Sequence, residues 1–174
     1  GTPSLRRRCV WLLPPGAGGA IGFGMSSPPD DRAILSAIEP LVLDAGRRIV
    51  EIASEGFRAE AKADESPVTK ADREAEAILL SGLRRHFPAI PVVAEEENSA
   101  GLAPREVGDV FFLVDPLDGT REFVRGGDDY TVNVALVRGG VPVVGAVYAP
   151  ACHQLYLGRP GFAEAVETDA CHRA

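Results

Sequence analysis

Long apolar runs, cysteines and excess basic charge are all scarce in this 174-residue chain, and each scarcity excludes a class. No stretch reaches the roughly 20 apolar residues that a membrane-spanning helix needs. The nearest, Cys9 to Gly24, is broken by Pro14, Pro15, Gly16, Gly18, Gly19 and Gly22, so that only Val10 to Leu13 is compactly apolar. That is also too short for the core of a signal peptide. Cys9, Cys152 and Cys171 are widely spaced and form no Cys-x-x-Cys pair. They make neither a disulfide framework nor a zinc site, and they fit a reducing, cytoplasmic compartment. No nucleophile pattern surrounds them, and His86, His153 and His172 read as surface residues. Eighteen Lys and Arg against 25 Asp and Glu leave a charge of -7, which argues against a nucleic acid or an anionic membrane as partner. A small anionic substrate remains open to such a chain, because a bound metal ion can supply local positive charge.

What is present is an ordinary globular composition, 45% hydrophobic and 25% charged, in a length that suits one domain or part of one. The composition shifts at Met25. Residues 1–24 carry Arg6, Arg7 and Arg8 and no acid, and are expected to be a disordered extension ahead of a domain over residues 25–174. Asp30 or Asp31 can cap a first helix, whose apolar positions Ile34, Ile38, Leu41, Val42, Ala45, Ile49 and Ile52 recur at helical spacing. Pro40 inside this pattern predicts a kink or a late start. Phe57 to Ala63 is expected to form a short strand before a turn at Ser66-Pro67. Thr69 and Asp72 have capping-box spacing ahead of a second amphipathic helix through Ala71, Ala75, Ile78, Leu79, Gly82 and Leu83.

The stretch that concentrates chemistry runs from Val110 to Thr131. Val110 to Val114 reads as a buried strand that stops at Asp115, where Pro116 turns the chain. The turn can aim Asp115 and Asp118 at one point, with the Leu117 carbonyl as a third oxygen, and such hard ligands suit Mg²⁺. Gly119 permits a close backbone approach to a ligand, and a helical turn starting near Thr120 would turn free N–H groups toward an anion. Read blandly, Asp118 is a helix N-cap in an ordinary turn.

Two more acids could join this turn. Asp72, expected in the first turn of its helix, either answers the helix dipole or faces Thr120. Pro91 to Ala94 is a short strand running into Glu95-Glu96-Glu97, which is either a solvated loop or, with Glu95, a third carboxylate at the same site. Both strands end in acids, and ligands gather where strands end, which favours the second reading. Further on, Tyr130 to Val137 alternates with period two, Gly139-Gly140 signals a hairpin, Val141 to Tyr148 returns, and His153 to Leu157 can add a strand. The order predicts an α+β, layered αβ plan.

Four pieces together resemble the inositol-monophosphatase superfamily of metal-dependent phosphatases: Ser66-Pro67-Val68-Thr69 with Asp72, Val92 to Glu96, Leu113 to Thr120, and Tyr130 to Leu136. Arg121-Glu122-Phe123 and Gly145 to Pro150 most resemble its 3'(2'),5'-bisphosphate nucleotidases, which remove the 3'-phosphate of adenosine 3',5'-bisphosphate, a by-product of sulfate assimilation. The resemblance runs from Leu35 to Leu157 and implies a layered sugar-phosphatase-like fold. It further implies that Glu95, Asp115, the Leu117 carbonyl and Asp118 bind Mg²⁺. Glu95, Leu117, Asp118, Gly119 and Thr120 would contact the phosphorylated substrate, and Asp72 and Thr120 would help to activate an attacking water. Lithium sensitivity is a further expectation of the family.

One departure accompanies the matches. Family members continue well past this length, and their second half supplies a further metal-binding aspartate in a Trp-Asp motif together with most nucleoside contacts, whereas the single tryptophan here is Trp11. The chain is therefore expected to be the N-terminal part of such an enzyme, with sheet surface left uncovered. Gly158 to Ala174 resembles the family poorly, and its apolar pattern looks too weak to close a core. Two rivals stay open, an inositol-phosphate or histidinol-phosphate phosphatase and an inactive truncated paralogue that binds metal or a partner. The oligomeric state is not legible.

Overall fold

The computed structural model describes residues 8–11, 29–56, 67–99, 101–102, 104 and 107–169. Two long helices, α1 (Asp31–Gly56) and α2 (Pro67–His86), lie on one face of a seven-stranded sheet. The strands are β1 (Arg8–Trp11), β2 (Val92–Ala94), β3 (Val110–Asp118), β4 (Thr131–Arg138), β5 (Val141–Ala149), β6 (Gln154–Arg159) and β7 (Phe162–Glu167). Their order is β1-β7-β6-β5-β4-β3-β2, and among the described residues β2 with β3 is the one parallel pair. This is the α+β, layered plan that the element order predicts. Among the described residues no helix is long and apolar enough to cross a membrane.

Period-two alternation puts Phe112, Val114, Val132, Val134, Leu136, Val144, Ala146, Tyr148, Leu155, Leu157 and Val166 into one buried cluster with the apolar stripes of α1 and α2. The opposite set is small or apolar and open to solvent in places, with Leu113 48%, Val147 40% and Tyr156 47% exposed. Gly139 and Gly140, both at positive φ (56° and 76°), make the two-residue hairpin between β4 and β5, a turn whose twist matches that of its strands.

Three expectations change, and a fourth lies beyond what the structure describes. α1 begins at Asp31 and runs unbroken through Pro40, so there is no late start; the Ile34 N–H already donates to the Asp30 carbonyl at 2.9 Å. Arg8–Trp11, placed in a disordered extension by their composition, pair antiparallel with β7, whose outer edge offers unmet backbone groups. The stretch after Gly158 supplies β7, and its Val166 is fully buried. Val166 shares its buried face with Glu164, Phe162 packs against the core at the start of the strand, and β6 aligns it. The strand expected over Phe57 to Ala63 lies outside the described residues.

The helices touch their neighbours through glycines. A Cβ on Gly46 of α1 would stand 2.5 Å from the ring of buried Tyr148, and one on Gly82 of α2 would stand 2.3 Å from Leu41 Cδ2. The Tyr148 ring is rigid and its hydroxyl is engaged with Thr168 Oγ1 at 3.2 Å, whereas a leucine tip can rotate away. Gly46→Ala is expected to cost about 1–3 kcal/mol. Gly82→Ala is expected to stay near neutral, since the gain in helix propensity of about 1 kcal/mol offsets the milder clash. Urea unfolding midpoints of the two variants check the ranking.

Candidate active site

The site begins with the parallel pair. Val92, Val93 and Ala94 of β2 stand beside Phe112, Leu113 and Val114 of β3. The next residues on the two strands, Glu95 and Asp115, therefore emerge side by side. β3 does not stop at Asp115 as expected. It continues to Asp118 through a bulge, with Asp115 opposite Asn133 and Asp118 opposite Thr131. A bulge leaves one residue outside the ladder, which is where a proline without an N–H is tolerated. Leu117, 2% exposed, pins the bulge into the core while Asp118 stays exposed.

Gly119 follows at φ 91° as the N-cap of the short helix α4 (Thr120–Val124), and its carbonyl accepts the N–H groups of Glu122 and Phe123, each at 3.0 Å. No side chain caps α4. Asp118 is thus not an N-cap, and the bland reading of it falls; instead it accepts a long hydrogen bond of 3.4 Å from Asn133 Nδ2. A Cβ on Gly119 would lie 2.5 Å from the Asp129 carbonyl oxygen. The close backbone approach foreseen there is made at least to the chain's own loop. Phe123 then packs edge-on against Tyr130, ring centroids 5.3 Å apart, which ties α4 to the start of β4.

Asp72 comes from α2. That helix starts at Pro67, a residue suited to the first helical position, so Asp72 falls in the second turn and not in the first as expected. It is 8% exposed, and its Oδ1 is buried without a hydrogen-bond partner. Answering the helix dipole does not account for such a group. Burial first, and then the charges of Glu96, Glu95, Asp115 and Glu76, push its carboxyl from the ordinary 3.8 up to about 7. Asp115 Oδ1 is likewise buried and partnerless. Burial, followed by Glu95 and Asp118, raises its carboxyl to about 6, while a backbone hydrogen bond from Leu117 opposes the shift.

The fold thus brings Asp115 into electrostatic range of Asp72, Glu95 and Asp118, and Asp72 into range of Glu95. Thr120 is the first residue of α4, a helix that touches α2, and among the described residues no hydrogen bond joins it to Asp72. Among the described residues no three His, Cys, Asp or Glu side chains are drawn tightly enough to hold an ion as they stand. The donor set nevertheless fits a hard divalent cation: it is all oxygen, and two of its buried carboxylate oxygens lack any partner. An open cleft of about 290 Å³ adjoins the bulge, lined by Asp118, Gly119, Tyr130, Thr131 and Cys152 among others.

The chain matches the inositol monophosphatase family over residues 30–166. It belongs to that family. The match reaches into β7, so the stretch after Gly158 is family-like to residue 166, against expectation. The 3'(2'),5'-bisphosphate nucleotidase CysQ of Shigella flexneri is 39% identical over 130 residues, covering 74% of this chain and 52% of the relative. The structure of CysQ from Bacteroides thetaiotaomicron superposes with a TM-score of 0.60 at 34% identity, covering 75% of this chain and 47% of that one. Inositol monophosphatase from Anabaena gives 0.59 at 28% identity, covering 75% and 43%. The chain spans about half the length of the relatives it matches.

Two neighbours of the family turn escaped sequence reasoning. Asn133 faces Asp115 across the ladder and leaves its own Oδ1 buried without a partner. Glu76, 5% exposed, sits four residues after Asp72 and accepts the N–H groups of Glu96 and Glu97 at 2.9 and 3.1 Å. The second was signalled by its spacing, since acids at i and i+4 share a helix face.

Two measurements follow from this geometry. Gly119→Ala is expected to lose about 1–3 kcal/mol from backbone strain alone, since both the positive φ and the Asp129 carbonyl oppose a side chain; chemical denaturation checks it. Asp72 and Asp115 have raised carboxyls in the folded state, so the stability they contribute is present below pH 4 and is lost as pH rises toward 7. In chelator, the thermal midpoint is expected to fall between pH 4 and 7, and Asp72→Asn to flatten the upper part of that fall.

Proposed function

We propose that this chain carries the metal- and phosphate-binding part of a Mg²⁺-dependent phosphomonoesterase that removes the 3'-phosphate of adenosine 3',5'-bisphosphate. The observation that carries the reading is the pair of buried, partnerless carboxylate oxygens, on Asp72 and Asp115, where β3 ends. Burying such groups among other acids without a counter-charge is costly, and a cation held at Asp115 offsets the cost for both. Glu95, Asp115, the Leu117 carbonyl and Asp118 are the proposed ligands. When bound, divalent ions acidify water and offset charge on phosphoryl oxygens.

The chain's own residues have separate tasks. Gly119 and Thr120 receive the phosphate, with Glu95, Leu117 and Asp118 bordering it. Asp72 and Thr120 are the proposed pair that helps to activate the attacking water. The nucleotide substrate is supported by the 39% identity to a relative named for that activity, and by Arg121-Glu122-Phe123 and Tyr148-Ala149-Pro150. Exposed, unbridged Cys152 supports a cytoplasmic setting. The likeness to an inositol monophosphatase structure favours a second reading, an inositol-phosphate phosphatase with the same metal site.

Phosphate release from adenosine 3',5'-bisphosphate and from inositol phosphate, with Mg²⁺ or chelator, tests the proposal. Release is expected to need Mg²⁺, to prefer the nucleotide, and to drop by roughly 100-fold or more in Asp118→Asn. Preference for inositol phosphate would establish the second reading. Activity that survives Asp118→Asn would overturn the metal assignment.

A further inference from the structure

Glu76 spends a buried carboxylate on no reacting atom. Both of its oxygens are engaged, Oε2 by the N–H of Glu96 at 2.9 Å and Oε1 by the N–H of Glu97 at 3.1 Å. These donors lie in the first turn of α3 (Glu95–Ser99), among the groups that a helix cannot satisfy for itself. Five residues are too few for a helix to hold its shape by its own hydrogen bonds. The direction in which Glu95 leaves β2 is therefore set from outside α3.

We propose that Glu76 is a positioning residue for the cation site, clamping the backbone of α3 so that Glu95 is presented beside Asp115. The inference rests on the reading of Glu95 and Asp115 as ligands and extends it to a residue that touches neither cation nor substrate. A side chain of the same chain segment could have capped α3 as well. An acid reaching over from α2 does something more, for it fastens α3 to the helix that bears Asp72. One helix then sets two of the site's acids, Asp72 directly and Glu95 through Glu76. A second hold lies two turns further along α2, where Arg84 Nη2 meets Glu97 Oε2 at 2.7 Å. Arg84 is exposed, so this pair contributes less. Glutamine cannot replace Glu76, because its NH₂ would oppose one of the two N–H donors.

The test uses the full chain, with Mn²⁺ as the probe titrated calorimetrically, and amide hydrogen exchange at Glu96 and Glu97 without metal. Glu76→Gln is expected to lose protection at both amides and to weaken Mn²⁺ binding by about 10-fold or more. Arg84→Ala should weaken it by a smaller factor. Lost protection with unchanged Mn²⁺ affinity would reduce Glu76 to a structural cap and overturn the proposal, as would unchanged protection. Absence of Mn²⁺ binding by the wild-type chain would instead sink the ligand reading itself. Should Glu76→Gln fail to fold, Glu76→Asp decides, because a carboxylate one methylene shorter cannot keep both bonds, and unchanged affinity with unchanged protection there refutes the clamp.

Discussion

The parallel pairing of β2 with β3 is the constraint on which the rest of this structure depends. The remaining strands pair antiparallel, where adjacent ends point in opposite directions and carboxylates at two consecutive strand ends would be a strand length apart. A single parallel neighbour brings Glu95 and Asp115 to the same edge. The bulge after Asp115 then adds Asp118 to that edge, and α2, packed across β3, adds Asp72. Three separate segments converge because one strand runs the same way as its neighbour.

Packing and electrostatics oppose each other at this edge. Leu117, Phe123 and Tyr130 are buried around the bulge, and Gly119 accepts a left-handed backbone so that the loop from Asp129 can close over it. The same burial raises the carboxyls of Asp72 and Asp115, because it strips water from groups that already repel one another. The apolar surroundings hold the acids in place at an electrostatic penalty, and that combination is typical of sites that act on a charged ligand.

Much of this was legible in the residues. The apolar periods of α1 and α2, the alternation in β4, the Gly139-Gly140 hairpin and the acids closing two short strands each left a pattern of the right period or chemistry. Tertiary context decided the rest. A strand running on through Pro116 depends on a bulge that no local pattern announces, and the capping spacing of Thr69 and Asp72 misled because Pro67 had already opened the helix. β7 has almost no apolar signature of its own and takes its place from β6. Glu76 shares a helix face with Asp72 by its spacing, but its partners, backbone groups about twenty residues away, left no pattern.

From β3 to β7 the sheet is a meander in which every strand pairs with the next in the chain, so its contacts close short loops and carry little entropic delay. Asp115 and Asp118 belong to that meander, whereas Asp72 and Glu95 precede it and reach it only when α2 and β2 dock. The acid cluster therefore straddles the seam between the locally formed part of the fold and the part that must arrive from a distance. The repulsion between Asp115 and Asp118 lies within the meander, whereas that on Asp72 and Glu95 acts on the docking step, so counter-charge at the edge governs how firmly the two parts of the molecule close.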